Sequence, residues 1–333
     1  MKKGNAILFL FLVGLFFTCC KGRDFPEVKL LSDYKKTNFL STIEDSLSLS
    51  KNNIYASSFL YAWAEIRKEV GSLKVEEKYT ELTLVNNAVS YQNSLKGNEL
   101  ETKVAIEGTK ITASAYFKKS LPFEIKLVRF PQPMVFQNEK VESFGVYGAS
   151  EEKFISEILY YKNDSDFVIR LNPKDKDHEI LLYNPSESSL FTFKELLSSL
   201  NSKIVRGKKE MYSDSLGWKY CISGPDFLQI PLLGFNIETQ YDSIVGSIFT
   251  SLENEYVVVK AEQRTAFILD ELGAEVESEA TIVADLTSAL PEPVEHPKRM
   301  VFNKPFLIVL KRRDAVNPYF MAWINNSELM TKK

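Results

Sequence analysis

The chain has 333 residues, of which 44% are hydrophobic and 26% are charged, with 41 basic and 44 acidic side chains. This near balance argues against electrostatic binding of nucleic acid, because no net positive field attracts phosphates. The apolar fraction is sufficient for a buried core and excludes wholesale disorder. Only two histidines and three cysteines occur, so catalytic triads and multi-histidine metal sites have little material.

The first twenty residues predict an export signal. Lys2 and Lys3 precede an apolar run at 6–17, which is shorter than the roughly 20 residues that span a bilayer. Cys19 and Cys20 follow directly. The segment resembles a bacterial lipoprotein signal, in which the cysteine at the cleavage site is lipidated; plain secretion and an uncleaved anchor are the alternatives. We expect a lipid on Cys19 or Cys20 and attachment to the bacterial cell envelope, at the outer membrane or cell surface.

Periodicity along the chain predicts helices first and strands later. Apolar spacing of three and four predicts helices at 30–47, 59–70, 190–200 and 243–252, with Gly71 ending the second. Alternating and apolar runs predict strands at 82–89, 104–106, 110–117, 154–160, 167–171, 179–183, 218–222, 227–237, 256–260, 264–270, 305–311 and 319–324. Residues 174–178 indicate a solvated turn. This order predicts an α+β fold with mixed or antiparallel sheets.

No constellation of residues predicts catalysis or a cofactor. The glycines form no phosphate loop or dinucleotide fingerprint. His178 and His296 lack neighbours at metal-ligand spacing, so we expect no metal, no cofactor and no catalytic residue. Cys221 is expected to be a small buried hydrophobe rather than a nucleophile.

Six segments, in chain order, resemble segments of the serpin family. The matching segments are 53–58 (start of helix B), 115–123 (Tyr-Phe-Lys-Gly-x-Trp-x-x-Pro-Phe), 231–241 (Pro-Lys-Phe-x-Ile-x-x-x-Tyr), 265–275 (the strand entering the reactive loop), 302–310 (the strand after it) and 317–326 (the closing strand). This sequence departs from the family pattern at three positions. Ser58 stands where the family usually has proline, Leu121 or a neighbour where it has tryptophan, and Ala322 where it has glycine. The resemblance implies a serpin-like α+β fold with N-terminal helices and an exposed reactive-centre loop. The chain is short for that family, so we infer a reduced serpin lacking several helices, including the one across the front of sheet A.

Serpin inhibition, which the resemblance implies, begins when a protease cleaves the exposed loop and forms an acyl-enzyme. The loop then inserts into sheet A as a new strand and distorts the protease. The hinge of such a loop must therefore be able to become a central strand. The candidate hinge residues are Glu271, Gly273, Ala274, Glu275, Val276, Glu277, Ser278, Glu279 and Ala280.

Three glutamates in this hinge alternate with small or apolar residues. Strand side chains alternate between the two faces of a sheet, and the resemblance directs the residue after the hinge glycine into the core. The inward set is Ala274, Val276, Ser278, Ala280, Ile282 and Ala284. The outward set is Glu275, Glu277 and Glu279. A slip of one residue would bury all three carboxylates, at several kcal/mol each.

The position of the scissile bond is less closely defined. Counting from Gly273 in the family manner gives Thr287–Ser288, and the longer loop of this chain allows a bond anywhere from Asp285 to Glu292. The candidate residues are Thr287, Ser288, Ala289 and Leu290. No Arg or Lys occurs from Gly273 to Pro297. This composition favours an elastase-like or subtilisin-like serine protease, or a papain-like cysteine protease, over a trypsin-like target.

These observations predict a signal at 1–20, a polar tether at 21–29 and one serpin-like domain at 30–328, with the loop at about 273–300. The expected protein is a monomeric inhibitor whose partners are a protease and, through its lipid, a membrane. The alternative is a non-inhibitory serpin-like lipoprotein that acts as a binding module. An enzyme unrelated to serpins is the third hypothesis.

Overall fold

The computed structural model describes residues 24–107, 110–186, 191–252, 254–275 and 297–333. Within them lie three α-helices, α1 (Ser58–Val70), α2 (Thr80–Asn87) and α3 (Phe193–Glu210). None of these described helices combines the length and apolar character needed to cross a membrane. The strands are β1 (Lys29–Leu30), β2 (Thr37–Phe39), β3 (Asn52–Ala56), β4 (Leu73–Val75), β5 (Leu100–Glu107), β6 (Lys110–Phe117), β7 (Ser120–Pro122), β8 (Val128–Arg129), β9 (Met134–Phe136), β10 (Glu139–Val141), β11 (Ser143–Tyr147), β12 (Ser156–Asn163), β13 (Asp166–Leu171), β14 (His178–Asn184), β15 (Phe227–Pro231), β16 (Leu233–Gln240), β17 (Ile248–Ser251), β18 (Asn254–Val257), β19 (Glu262–Asp270), β20 (Gly273–Glu275), β21 (Arg299–Val301), β22 (Phe306–Arg312) and β23 (Phe320–Ile324).

The central sheet has seven strands in the order β12-β13-β14-β22-β23-β3-β2. Every residue of β3, β14 and β23 is buried, and β23 is accordingly a continuous apolar run rather than an alternating one. Helix α3 packs on β12 and β13. Its start is fixed by a capping box, in which the Thr192 hydroxyl accepts from the Glu195 N–H and the Glu195 carboxylate accepts from the Thr192 N–H.

Two further sheets contain the two described ends of the segment predicted to be the loop, β20 and β21. The loop sheet has the order β1-β16-β19-β20-β7, and the outer sheet has the order β21-β15-β11-β8. Helix α1 packs against the hairpin β5–β6 and also contacts β19. The remaining small sheets are β18-β17-β4 and β10-β9. The predicted α+β class with mixed and antiparallel sheets is confirmed.

Several predicted elements are confirmed within the described residues. The second helix is α1, and its backbone ends at Gly71, which has a φ of 81°. The strand predicted at 110–117 is β6. The strands predicted near 167–171, 179–183, 264–270, 305–311 and 319–324 are present with shifted ends as β13, β14, β19, β22 and β23.

Three predicted elements are wrong in type. Residues 30–47 form no α-helix: short strands, a 3-10 turn and loops replace it, and the Glu328 carboxylate accepts from the N–H groups of Lys35 and Lys36. The strand predicted at 82–89 is helix α2, because Leu82 and Val85 are buried at helical spacing. The helix predicted at 243–252 consists of turns followed by β17, whose neighbours β18 and β4 determine its extended form.

Three more predictions, the strands at 227–237 and 218–222 and the burial of Cys221, are wrong because tertiary contacts outweigh the local apolar pattern of the sequence. The strand predicted at 227–237 is two strands, β15 and β16, which separate at Leu232 and enter different sheets. The strand predicted at 218–222 is a 3-10 turn at Gly217–Tyr220 followed by an irregular segment. Tyr220 is the buried residue there, and Cys221 is exposed.

His178 is not part of a solvated turn, because its side chain is fully buried. Its Nε2–H donates to Glu99 Oε1 at 2.8 Å. Glu99 also accepts from the Lys119 ammonium and, at 3.1 Å, from the Arg312 guanidinium. We call Glu99, Lys119, His178 and Arg312 the buried ion network. It joins the turn before β5 and the residue before β7 to two strands of the central sheet.

Replacing the network's carboxylate tests its contribution to stability. Glu99→Gln leaves Lys119 without its carboxylate partner in a largely buried position and removes one of the carboxylates around Arg312, which also bonds to Asp314. We expect the free energy of unfolding to fall by about 3 kcal/mol. Glu101→Gln, two residues further along in β5 and exposed, is the matched control and should change the free energy of unfolding by less than about 0.5 kcal/mol. Urea denaturation of both variants measures the difference. Equal stabilities would contradict the role of the network.

The same network predicts a pH dependence. Burial disfavours the ionised Glu99, but hydrogen bonds from Lys119, the Lys96 N–H and His178 outweigh it and lower the pKa from 4.5 to about 2. A depressed pKa contributes stability above 4.5 that is lost as the pH falls toward about 2. The deficit of Glu99→Gln relative to wild type should therefore be constant from pH 7 to 5 and shrink below pH 4.5. A constant deficit down to pH 3 would contradict the assignment.

Candidate functional site

The candidate hinge begins as a strand in the loop sheet. Strand β20 lies between β19 and β7 and runs antiparallel to both. Its register places Ala274 between Leu269 and Leu121. All three side chains have no exposed area. The first inward position of the hinge is thus part of the core.

Gly273 allows the chain to enter the sheet. Its φ is 132°, a backbone conformation that other residues rarely adopt. A Cβ at this position would lie 2.4 Å from the Leu121 carbonyl oxygen and 2.7 Å from the Pro122 Cα. Both the conformation and the close approach of β7 therefore require glycine.

The turn before Gly273 is fixed by its backbone and by a buried carboxylate. The carbonyls of Glu271 and Leu272 accept from the N–H groups of Leu127 and Phe123, at 2.8 and 2.9 Å. The Glu271 side chain is 7% exposed, and its Oε1 lies 3.5 Å from Lys126 Nζ and 3.7 Å from Arg129 Nη1. The sequence pattern alone did not identify Lys126 and Arg129. The sequence signal that could have identified these two basic residues is their closeness to the segment 115–123, which resembles the serpin family.

An unpaired strand edge continues from β20. Beyond Ile268, residues 262–267 of β19 pair with β16 on one side, and no other described strand pairs with them on the side of β20. Strand β6, which leads into β7, pairs with β5 alone among the described strands. Helix α1 contacts both β6 and β19. We call the space between these two edges the slot.

One wall of the slot is fastened to the start of α1. The buried Gln263 of β19 donates through Nε2 to the Ala56 carbonyl at 3.0 Å and to the Ser58 hydroxyl at 2.7 Å. Its Oε1 accepts from the Tyr241 hydroxyl at 2.6 Å. Ser58, which stands where the family has proline, thus positions β19.

The distal end of the candidate loop is anchored by a buried ion pair. Lys298 Nζ lies 2.7 Å from Asp226 Oδ2, and neither side chain is exposed. Asp226 also accepts from the N–H groups of Ser223 and Lys298, so the burial of its charge is compensated. The next residues form β21, which pairs in parallel with β15. Sequence reasoning missed this pair, because the two residues are far apart in the chain.

The structure describes only four of the predicted site residues. Glu271, Gly273, Ala274 and Glu275 lie in or next to β20, as described above. The other predicted positions lie outside the described residues: Cys19, Cys20, Val276, Glu277, Ser278, Glu279, Ala280, Thr287, Ser288, Ala289 and Leu290.

No family model matches the chain, and no curated protein matches it. Serpins are among the solved structures to which it is similar. Serpin-12, a serine protease inhibitor of Manduca sexta, shares 15% identity over 67% of this chain and 58% of that chain, with a TM-score of 0.37. Thyroxine-binding globulin in complex with thyroxine shares 12% over 65% and 56%, with a TM-score of 0.35. Tengpin, a thermophilic serpin in its native state, shares 14% over 66% and 57%, with a TM-score of 0.35. The chain spans less than two thirds of the length of each of these structures.

Replacement of the hinge glycine separates strain from contact. Gly273→Ala adds a Cβ that must displace β7, whereas a Cβ at Gly246, which also has a positive φ (83°), would meet no atom within 4 Å. Gly246→Ala should cost about 1–2 kcal/mol for backbone strain alone. Gly273→Ala should cost more and should increase proteolysis between 272 and 276. Equal costs and unchanged proteolysis would show that β20 does not pack against β7 in solution.

Proposed function

We propose that this chain is an envelope-tethered serpin-like inhibitor, which traps a serine or cysteine protease by inserting its cleaved loop into the slot. One observation carries the proposal. Strand β20 is already the first part of that inserted strand, with Ala274 buried between β19 and β7. The slot continues from its end along two unpaired edges.

Extending the observed pairing register of β20 predicts which residues of β19 and of the β6–β7 segment would lie opposite each residue of an inserted loop. Glu275 lies opposite Ile268 on β19 and Ser120 on β7. An uninterrupted antiparallel strand would place each following residue one position further along both walls. Residue 276 would then face Phe267, and residue 281 would face Glu262. Odd-numbered loop residues would lie on the outward face, and even-numbered residues on the inward face.

The inward residues suit the walls that they would contact. Val276 would lie opposite Phe267, which is fully buried. Ser278 would lie opposite Thr265, whose buried hydroxyl has no hydrogen-bond partner among the described residues. A serine across from a threonine can satisfy such a hydroxyl. The extended register therefore supplies a partner for an otherwise costly buried group.

The outward glutamates would lie near basic side chains. Glu277 would be opposite Lys118 of the segment between β6 and β7, and Glu279 would be opposite Arg264 of β19. Both of these basic residues are exposed. Opposite charges directly across a sheet contribute about 0.2–1 kcal/mol per pair. The glutamates, which oppose insertion at first sight, thus favour this register.

Pairing of the open edges supplies the driving force. In a strand, alternate residues direct both backbone groups to one edge, so three of the residues 262–267 present theirs to the slot. Each new hydrogen bond contributes about 1 kcal/mol net. For insertion to be favourable, these bonds and the burial of the inward side chains must exceed the roughly 1–2 kcal/mol per residue that ordering the inserted strand costs.

Protease class and location are further parts of the proposal. The absence of Arg and Lys from Gly273 to Pro297 supports an elastase-like, subtilisin-like or papain-like target cut near 287–290. Cys19 or Cys20 would carry the lipid that holds a monomer at the bacterial outer membrane or cell surface. The alternative, a non-inhibitory binding module, is favoured by Leu121: the hinge packs on this aliphatic side chain where the family has tryptophan.

Two loop variants of equal charge test insertion. Ser278→Asp places a carboxylate on the inward face, where burial costs several kcal/mol, whereas Thr281→Asp places it outward, in solvent. The wild type and both variants are incubated with elastase, with subtilisin and with papain. We expect the wild type and Thr281→Asp to form covalent complexes that survive denaturing electrophoresis, and Ser278→Asp to be cleaved as a substrate.

The outcome also separates the two functions. Equal trapping by Ser278→Asp and wild type would contradict the register. Cleavage of all three proteins without a complex, by serine and cysteine proteases alike, would refute inhibition and favour the binding module.

A further inference from the structure

A buried histidine lies where β7 meets the central sheet. His178 is the first residue of β14, and its side chain has no exposed area. Because an ionised carboxylate only accepts hydrogen bonds, the contact with Glu99 places the ring proton on Nε2. Nδ1 then carries a lone pair and has no hydrogen-bond partner among the described residues. The ring is therefore neutral, and a second proton on Nδ1 would find no acceptor.

The charged groups around the ring also oppose a second proton. Glu99 already bonds to two cations, Lys119 and Arg312, so protonated His178 would add a third positive charge beside one carboxylate. Asp175 Oδ2 is 3.7 Å from Nε2, but its side chain is 41% exposed. Burial and the Lys119 ammonium lower the pKa of His178 below its usual 6.5, although Glu99 and Asp175 act in the opposite direction.

The remaining ionisable groups nearby offer no acceptor to the ring. The Tyr319 ring meets the His178 ring edge-on, with 5.6 Å between their centroids, and its buried hydroxyl also lacks a described partner, so the two rings do not bond to each other. The Arg313 guanidinium donates to the His178 carbonyl. The groups on the outer side of Arg312 are Lys96, Asp177 and Asp314.

Strand β7 is fastened at both ends to residues that adjoin His178. At its start, Lys119 bonds to the same Glu99 that His178 contacts. At its end, the Pro122 carbonyl accepts from the Lys174 N–H at 2.9 Å, and Lys174 belongs to the turn that leads into β14. Strand β7 also pairs with the hinge strand β20. His178 is therefore connected to the hinge through a single strand.

We propose that His178 is an acid-operated latch, whose protonation releases β7 from the central sheet and loosens the hinge strand β20. Opening of the network exposes the imidazole to water, where its pKa returns to about 6.5. The open state then binds a proton that the closed state excludes, so a fall in pH below 6.5 favours opening. The stability that the neutral ring contributes is complete above 6.5 and declines as the pH falls from there.

The latch acts on one wall of the slot, because β7 and β19 flank β20. A loosened wall would ease entry of a cleaved loop, so mildly acidic conditions would favour trapping. This use of the latch rests on the proposed function. The latch itself involves only described residues and needs no cleaved loop.

Hydrogen exchange of the intact, full-length chain at pH 7.5 and 5.5 tests the latch. Each amide exchange rate is divided by the intrinsic rate at that pH, which removes the direct effect of pH. The reporting amides are those of Phe123 and Lys174, which bond to the carbonyls of Leu272 and Pro122. A ring that binds its second proton only on opening predicts about tenfold lower protection of both amides at pH 5.5.

Two matched variants assign this response. His178→Gln keeps an amide donor for Glu99 but cannot titrate, so its protection should be equal at the two pH values. His296→Gln removes the only other histidine of the chain and should keep the tenfold fall. No fall in the wild type, or an equal fall in His178→Gln, would overturn the latch.

A second measurement decides the question even if His178→Gln does not fold. In His296→Gln, His178 gives the only imidazole signal in an NMR titration, and we expect this signal to titrate below pH 6.5. Titration at 6.5 or above would overturn the latch. Neither experiment uses a protease, so failure of the latch is distinguishable from failure of inhibition.

Discussion

The short pairing of Gly273–Glu275 between β19 and β7 is the constraint on which the functional account depends. Gly273 accepts a backbone conformation and a contact with Leu121 that exclude other residues, and Ala274 then points into the core. Because side chains alternate along a strand, this one register assigns a face to every following residue of an inserted loop. In that register the small residues that alternate with the glutamates would share the inward face with Ala274.

Both walls of the slot are held by buried polar contacts. On one side, Gln263 fastens β19 to the start of α1. On the other, Lys119 precedes β7 and bonds to Glu99, which Arg312 and His178 tie to the central sheet. Buried networks of this kind are costly to break once satisfied. They therefore provide a fixed frame on either side of β20.

Elements whose apolar pattern agrees with their tertiary setting were predictable from the sequence: α1 with its Gly71 terminus, β6, β22 and β23. The failures occur where tertiary contacts decide the structure. The apolar residues at 82–89 predict a strand, yet residues 82–87 belong to helix α2. His178 lies among charged residues, yet Glu99, distant in the chain, makes its burial possible. At the hinge, family resemblance located Gly273, but its contact with Leu121 required the structure. Loop positions beyond Glu275 remain predictions.

The central claim is that the loop becomes a strand of the loop sheet after cleavage. Calorimetry of the intact chain, and of the same chain cut once between 276 and 296, measures this directly. Insertion worth several kcal/mol predicts a melting temperature about 10 °C or more higher for the cleaved protein. An unchanged or lower melting temperature after a single, verified cut would show that the loop does not enter the slot, and would contradict the account.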